Sequence, residues 1–233
     1  MSGIVTVPDG RQDGGRLRWH PERATARVVG AAGTAYLGAW LVGLAIAPAG
    51  PDAFAPAAEV YSQLAAHRHS ALAQSVLVHG VAGVALGVWA IASHRVARPV
   101  PRRVTVASCA GVAAGVLSLV QVALQLWAQH QLDLASVDGV DGAWDAINRV
   151  DAAKLVALAV LVAGYSAPVG RACGRRGAVT AFGLLTAALL ALGGASFLID
   201  LPALAGVLYA SLPLLLVWVG VVTTVLARRG RRR

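Results

Sequence analysis

Charge is the scarcest material in this chain. Only 13% of its 233 residues are Asp, Glu, Lys or Arg, about half the ~25% of an ordinary soluble domain, and that shortage excludes a typical water-soluble fold. Cysteine is nearly absent as well. The two present, Cys109 and Cys173, belong to no CxxC or metal-ligand pattern, which excludes a disulfide framework and a structural zinc site, and both are expected to stay reduced. Residues 1–27 form a polar, basic tail ahead of the first apolar run, and no cleavage site follows that run. The first span is therefore expected to be an uncleaved anchor and not a removable signal. Recognisable chemistry is missing too: there is no serine nucleophile elbow, P-loop, HExxH or paired-carboxylate motif. No catalytic residue, metal ligand set or cofactor is assigned on sequence grounds.

What the chain has is apolar length. Hydrophobic residues make up 57% of it and the mean hydropathy is +0.66. The apolar residues fall into long runs separated by short arginine-rich segments, a layout that suits lipid rather than a soluble core. A bilayer core about 30 Å thick needs roughly 20 helical residues, and six runs qualify: 28–47, 71–93, 104–128, 148–167, 178–199 and 203–227. Only helices satisfy their backbone groups within such segments, and the runs are too long for the strands of a membrane barrel. The expected fold is an all-α, six-span transmembrane bundle (28–227) between a basic N-terminal tail (1–27) and a basic C-terminal tail (228–233).

The net charge of +9 reads as topology, not as a nucleic-acid surface. Arginines cluster in the N-terminal tail, at Arg95 to Arg103, at Arg171 to Arg176, and at Arg228 to Arg233. These are alternate inter-span segments, so the positive-inside rule puts both termini in the cytoplasm. The basic tails would attract anionic inner-leaflet lipid. On the other side three outer segments are expected. The first carries an amphipathic stretch whose Val60, Tyr61 and Leu64 suit the membrane surface. The second, around "QHQLDLASVDGVDGAWDAI", is polar and glycine-punctuated, and the third is a tight hairpin at Asp200 to Pro202.

Small residues that let helix backbones approach are the expected contacts within lipid. They form three stripes: Gly30, Thr34 and Gly38; Ser75, Gly83 and Gly87; and Ser108, Gly111, Gly115 and Ser118. The GxxxG at Gly111 and Gly115 suits either packing within the chain or a homodimer face. Pro213 would free the Tyr209 carbonyl and kink the last span.

The fourth span breaks the apolar pattern. Counting back from an expected helix end at Pro168, its apolar part, Leu155 to Ala167, is too short to cross unaided, so the helix carries Asp151 and Lys154 into the membrane. Residues three or four apart share a helix face. By that spacing His79 follows Ser75 on span two, while Gln121 and Gln125 continue the Ser118 stripe on span three. His79, Gln121, Gln125, Asp151 and Lys154 thus form a candidate small-ligand site facing outward, since an intramembrane ionisable group is a functional hypothesis by default. A purely structural arrangement fits the same residues: Lys154 snorkelling to the headgroups beside Asp151, glutamines bonding helix to helix, and a satisfied core histidine. His67, His69, His130 and Asp133 contain donors suited to zinc or copper, but an HxH on a helix turns its rings to opposite sides.

With "AAHRHSALAQSVLVHGVAGVALGVWAIASHR" and "DAAKLVALAVLVAGYSAP" each leading into an arginine loop, the chain resembles the small Ala/Val/Arg-rich polytopic proteins of high-GC bacteria that are grouped as domains of unknown function. The resemblance covers the layout of the whole chain. It implies a multi-pass protein of the bacterial plasma membrane and carries over no catalytic residue. Three function classes follow: a non-enzymatic structural or regulatory membrane protein with a small-molecule pocket, a small dimeric transporter or transporter subunit, and an enzyme acting on a lipid or isoprenoid; a homodimer or another membrane protein is the expected protein partner.

Overall fold

In a computed structural model of the chain, residues 23–46, 50–97, 100–174, 176–199, 201 and 206–231 are described. They form seven helices and, among these residues, no strand. In chain order these are α1 (Arg23–Ile46), α2 (Ala57–Ala66), α3 (Arg68–Val96), α4 (Arg102–Asp133), α5 (Val137–Ala172), α6 (Arg176–Leu198) and α7 (Gly206–Arg231). All except the short α2 are long and apolar enough to cross a membrane. The hairpin expected at Asp200 to Pro202 and both outermost tails lie largely outside the described residues.

Successive spans alternate in direction, so the bundle has an arginine end and an α2 end. Helix α5 is its centre: 61% of its most apolar window is buried, against 39% for α1, α4, α6 and α7. Toward the arginine end Trp89, Tyr165 and Trp218 pack as an aromatic plug, with ring centroids 5.8 Å apart for Trp89–Tyr165 and 6.1 Å for Trp89–Trp218. The polar atoms of Trp89 and Tyr165 are satisfied by other helices. Trp89 Nε1 donates to Thr223 Oγ1 at 3.0 Å, and Tyr165 meets Ser108 Oγ at 2.7 Å. Ser108 in turn donates to the Val104 carbonyl.

Two of the three small-residue stripes are helix contacts. Gly83 and Gly87 face Gly115 so closely that a Cβ on Gly115 would lie 2.6 Å from the Gly83 carbonyl oxygen. Gly111 packs on Ala90 and Leu161, so this GxxxG is used inside the chain. Of the α1 stripe only Gly30 meets a neighbour, Ala227, at 3.6 Å; Gly38 has nothing within 4 Å and Thr34 is exposed, whereas Gly33 and Gly43 press against Thr223 and Val78. Spacing finds a small-residue stripe, but only the rotation of the helix within the bundle selects the buried one.

The helix ends also differ from expectation. Pro168 does not end α5, which runs on to Ala172; a proline removes one backbone bond, and a membrane helix flanked by neighbours tolerates that loss. Helix α7 likewise continues through Pro213. The second outer segment is not a loop. Helix α4 persists to Asp133 and α5 begins at Val137, with Ala135 at φ 50° in the turn and Ser136 capping α5 by accepting from the Gly139 N–H at 3.0 Å. Their 32 and 36 residues reach about 50 Å at 1.5 Å per residue, well beyond a bilayer core of about 30 Å. Both therefore project past the membrane.

That projection gives α2 its partner. Val60 and Leu64 are buried with Val140, beside Tyr61, Leu132 and Trp144, so the amphipathic face expected on the membrane surface instead packs on the extended α4–α5 hairpin. Asp133 is gripped at both oxygens by Arg68, at 2.6 and 2.9 Å, which commits it to an ion pair and not to the neighbouring histidines. Leu64→Ala is expected to weaken α2 docking by about 2–3 kcal/mol. The readout is faster amide exchange confined to residues 57–66, and unchanged exchange there would mean that α2 is held some other way.

Candidate functional site

The five residues singled out from sequence converge at the α2 end of the bundle. Lys154 Nζ lies 2.5 Å from Asp151 Oδ1 and donates to Gln121 Oε1 at 2.6 Å, while Gln121 Nε2 donates to the same Asp151 oxygen at 3.0 Å. The three side chains close a ring in which each end of the amide meets the charge it suits. Gln121 is 2% exposed and Lys154 5%. Lys154 therefore does not snorkel to the surface: it turns sideways into α4, because there it finds both a carboxylate and an amide oxygen. It is also the only lysine in a chain whose every other Lys/Arg cation is arginine.

His79 lines the same cavity as Asp151 and Gln121, and Gln125 lies one turn along α4 from Gln121. Neither is satisfied within the protein: His79 Nδ1 and Gln125 Nε2 are buried and have no hydrogen-bond partner, and nor has Ser75 Oγ. Buried polar groups without partners are uncommon and costly, and each calls for a physical reason. Here the reason is local. Gln125 (7% exposed) and Ser75 (6% exposed), together with His79, Gln121 and Asp151, line a cavity of about 320 Å³. Lys154 lies behind this wall and is not part of the lining.

Helix α3 contributes through an irregularity. Val76–Val81 is a π-helical turn, a wide winding that recurs at functional sites, and it lets Ser75, Val78 and His79 all face the cavity. The opposite wall comes from Phe197 on α6 and from Leu208, Tyr209 and Leu212 on α7. The mouth is built by a segment whose sequence carries only proline and glycine breaks. Trp144 Nε1 donates to the Asp52 carbonyl at 3.3 Å and Asn148 Nδ2 to the Ala53 carbonyl at 2.9 Å, pinning residues 50–55 beside Trp40 and Trp144. Asp52, Trp144 and Asn148 are thus site residues that sequence reasoning does not find. The available signal is a tryptophan and an asparagine four apart just ahead of Asp151. Gln129 extends the α4 stripe one turn further, buried and without a partner for its amide; it is not part of the cavity wall.

Six long apolar helices with an ion pair held among them define a multi-pass helical membrane protein with a cavity at one end, mainly apolar but with polar side chains in its wall. No family model matches the chain, and neither a curated protein nor a solved structure does.

Proposed function

We propose that the protein is a non-enzymatic, ligand-binding membrane protein whose cavity at the α2 end receives a small molecule. The observation that carries this reading is the cavity lined by His79, Gln121, Gln125 and Asp151, with three buried polar atoms that nothing in the protein satisfies. Lys154, Asp151 and Gln121 close on themselves, whereas Ser75, His79 and Gln125, all residues of the cavity wall, each keep a buried polar atom without a partner. The positive-inside rule supports a cavity open to the outside of a bacterial plasma membrane, with the arginine end and both termini in the cytoplasm and anionic lipid around the basic segments.

A conduit is less well supported than a pocket. Trp89 is ten residues beyond His79, and Tyr165 is eleven beyond Lys154. At 1.5 Å per residue the aromatic cluster therefore stands about 15 Å deeper than the cavity floor, between the cavity and the arginine end. An enzyme acting on a lipid or isoprenoid would need a proton-transfer pair, and Asp151 is already committed to Lys154 and Gln121.

The test is native mass spectrometry of protein released from nanodiscs, wild type against the double variant Asp151→Asn with Lys154→Met. The double change removes both charges together and keeps the volume, so the fold is expected to survive. A small molecule bound to wild type and lost from an equally stable variant is the expected result. Two bare spectra would leave the cluster with a structural role only.

A further inference from the structure

The cavity wall has a sign. Its acidic and basic lining consists of Asp52, Asp151 and His79, with no lysine or arginine. The buried ion pair is oriented across that wall: the Asp151 side chain is 27% exposed and the Lys154 side chain 6%, so the carboxylate is turned to the cavity and the ammonium away from it. At the same end of the bundle, outside the cavity lining, Asp133 is paired with Arg68 and Asp145 with Arg149. Asp52, Glu59, Asp138 and Asp141 at the same end make no ion pair among the described residues. Such a field concentrates cations at the opening. The rest of the wall mixes aliphatic side chains such as Leu44, Ile147 and Leu212 with four aromatic ones, Trp40, Trp144, Phe197 and Tyr209, and ring faces attract ammonium groups, most strongly when water is excluded. The unpartnered atoms of Ser75, His79 and Gln125 lie in the same wall. Ser75 and Gln125 are more than nine-tenths buried, so the site is more than a cluster of acids.

We propose that this cavity binds an organic ammonium ion with an apolar body. The charged nitrogen sits against Asp151 and His79, and the body lies among Trp40, Trp144 and Tyr209. This rests on the pocket reading above and adds the class of ligand. The Lys154–Asp151–Gln121 ring then has a definite role, which is to hold a carboxylate at the cavity floor with one oxygen, Oδ1, fully engaged, and to present the rest of that group to the ligand. A soluble amine and a lipid ammonium headgroup share this chemistry.

The experiment is calorimetric titration of protein in phosphatidylglycerol nanodiscs, which contain no lipid amine. Three probes of similar size are compared: protonated 2-phenylethylamine, neutral 2-phenylethanol and anionic 3-phenylpropanoate. The amine is expected to bind at least about tenfold tighter than the alcohol, as a charge-dependent gain of about 1.4 kcal/mol requires, and the carboxylate not at all. The double variant Asp151→Asn with Lys154→Met is expected to remove the preference for amine over alcohol. The surface variant Asp52→Asn, which does not threaten the fold, is expected to weaken amine binding a few-fold and to lower its salt dependence. Nanodiscs doped with phosphatidylethanolamine separate the two sources: competition with the amine places the natural ammonium on a lipid headgroup, and unchanged binding places it on a soluble amine. Alcohol or carboxylate binding as tightly as amine overturns the ammonium assignment while the pocket stands. Binding of none of the three, together with a bare native spectrum, overturns both.

Discussion

Asp151→Asn is expected to be the most damaging single change at the cavity, costing about 3–5 kcal/mol, because it leaves a buried ammonium without its counter-charge. The effect should be asymmetric. After Lys154→Met the remaining carboxylate still accepts from Gln121 Nε2 and borders the cavity, where water reaches it, so a smaller loss is expected. The double variant should be more stable than Asp151→Asn alone, since no charge is left in the interior. Unfolding in mixed micelles, arranged as a double-mutant cycle, reads all three. Simple additivity, with the double variant the worst of the set, would mean that the two charges do not depend on each other and that the ring is incidental.

Gly115→Ala is expected to cost about 1–3 kcal/mol, although it adds a single methyl group. The added Cβ would lie 2.6 Å from the Gly83 carbonyl oxygen and 3.3 Å from the Gly87 nitrogen. Both are backbone atoms, so the two helices must separate. The control is Gly38→Ala on α1, where the new methyl meets nothing within 4 Å; removing a helical glycine there is expected to be neutral or to stabilise by up to about 1 kcal/mol. The same unfolding assay compares them. Equal effects would show that the α3–α4 contact does not depend on close backbone approach.

This pair of glycines marks how far the sequence can be read. The stripes on spans two and three are contacts, because Gly83, Gly111, Gly115 and Ser118 face the helices adjacent in the chain, and antiparallel neighbours must meet. On α1 the stripe of Gly30, Thr34 and Gly38 is equally regular, yet the buried face is the one carrying Gly33, Tyr36 and Gly43. That helix packs on α3 and α7, and α7 is remote in sequence, so no local pattern announces which face meets it.

The cavity divides in the same way. Its floor is legible: an ionisable pair inside an apolar run is costly enough to stand out, and helical spacing aligns Gln121, Gln125 and His79 with it. Its mouth is not. Asp52, Trp144 and Asn148 lie in polar stretches that carry no penalty and therefore no signal, and they become a wall only because α4 and α5 outrun the bilayer and draw α2 and residues 50–55 over the opening.

By itself, the sequence determined that this is a six-span helical membrane protein with a polar cluster in its fourth span, because hydropathy, run length and helical spacing are properties that each segment carries alone. Only the tertiary structure decided that Lys154 turns inward to Gln121 instead of outward to solvent, that Asp151 faces a cavity, and that three polar atoms there lack partners. Those facts depend on the rotation of each helix about its axis and on contacts between residues far apart in the chain, and both are set by how the helices pack together.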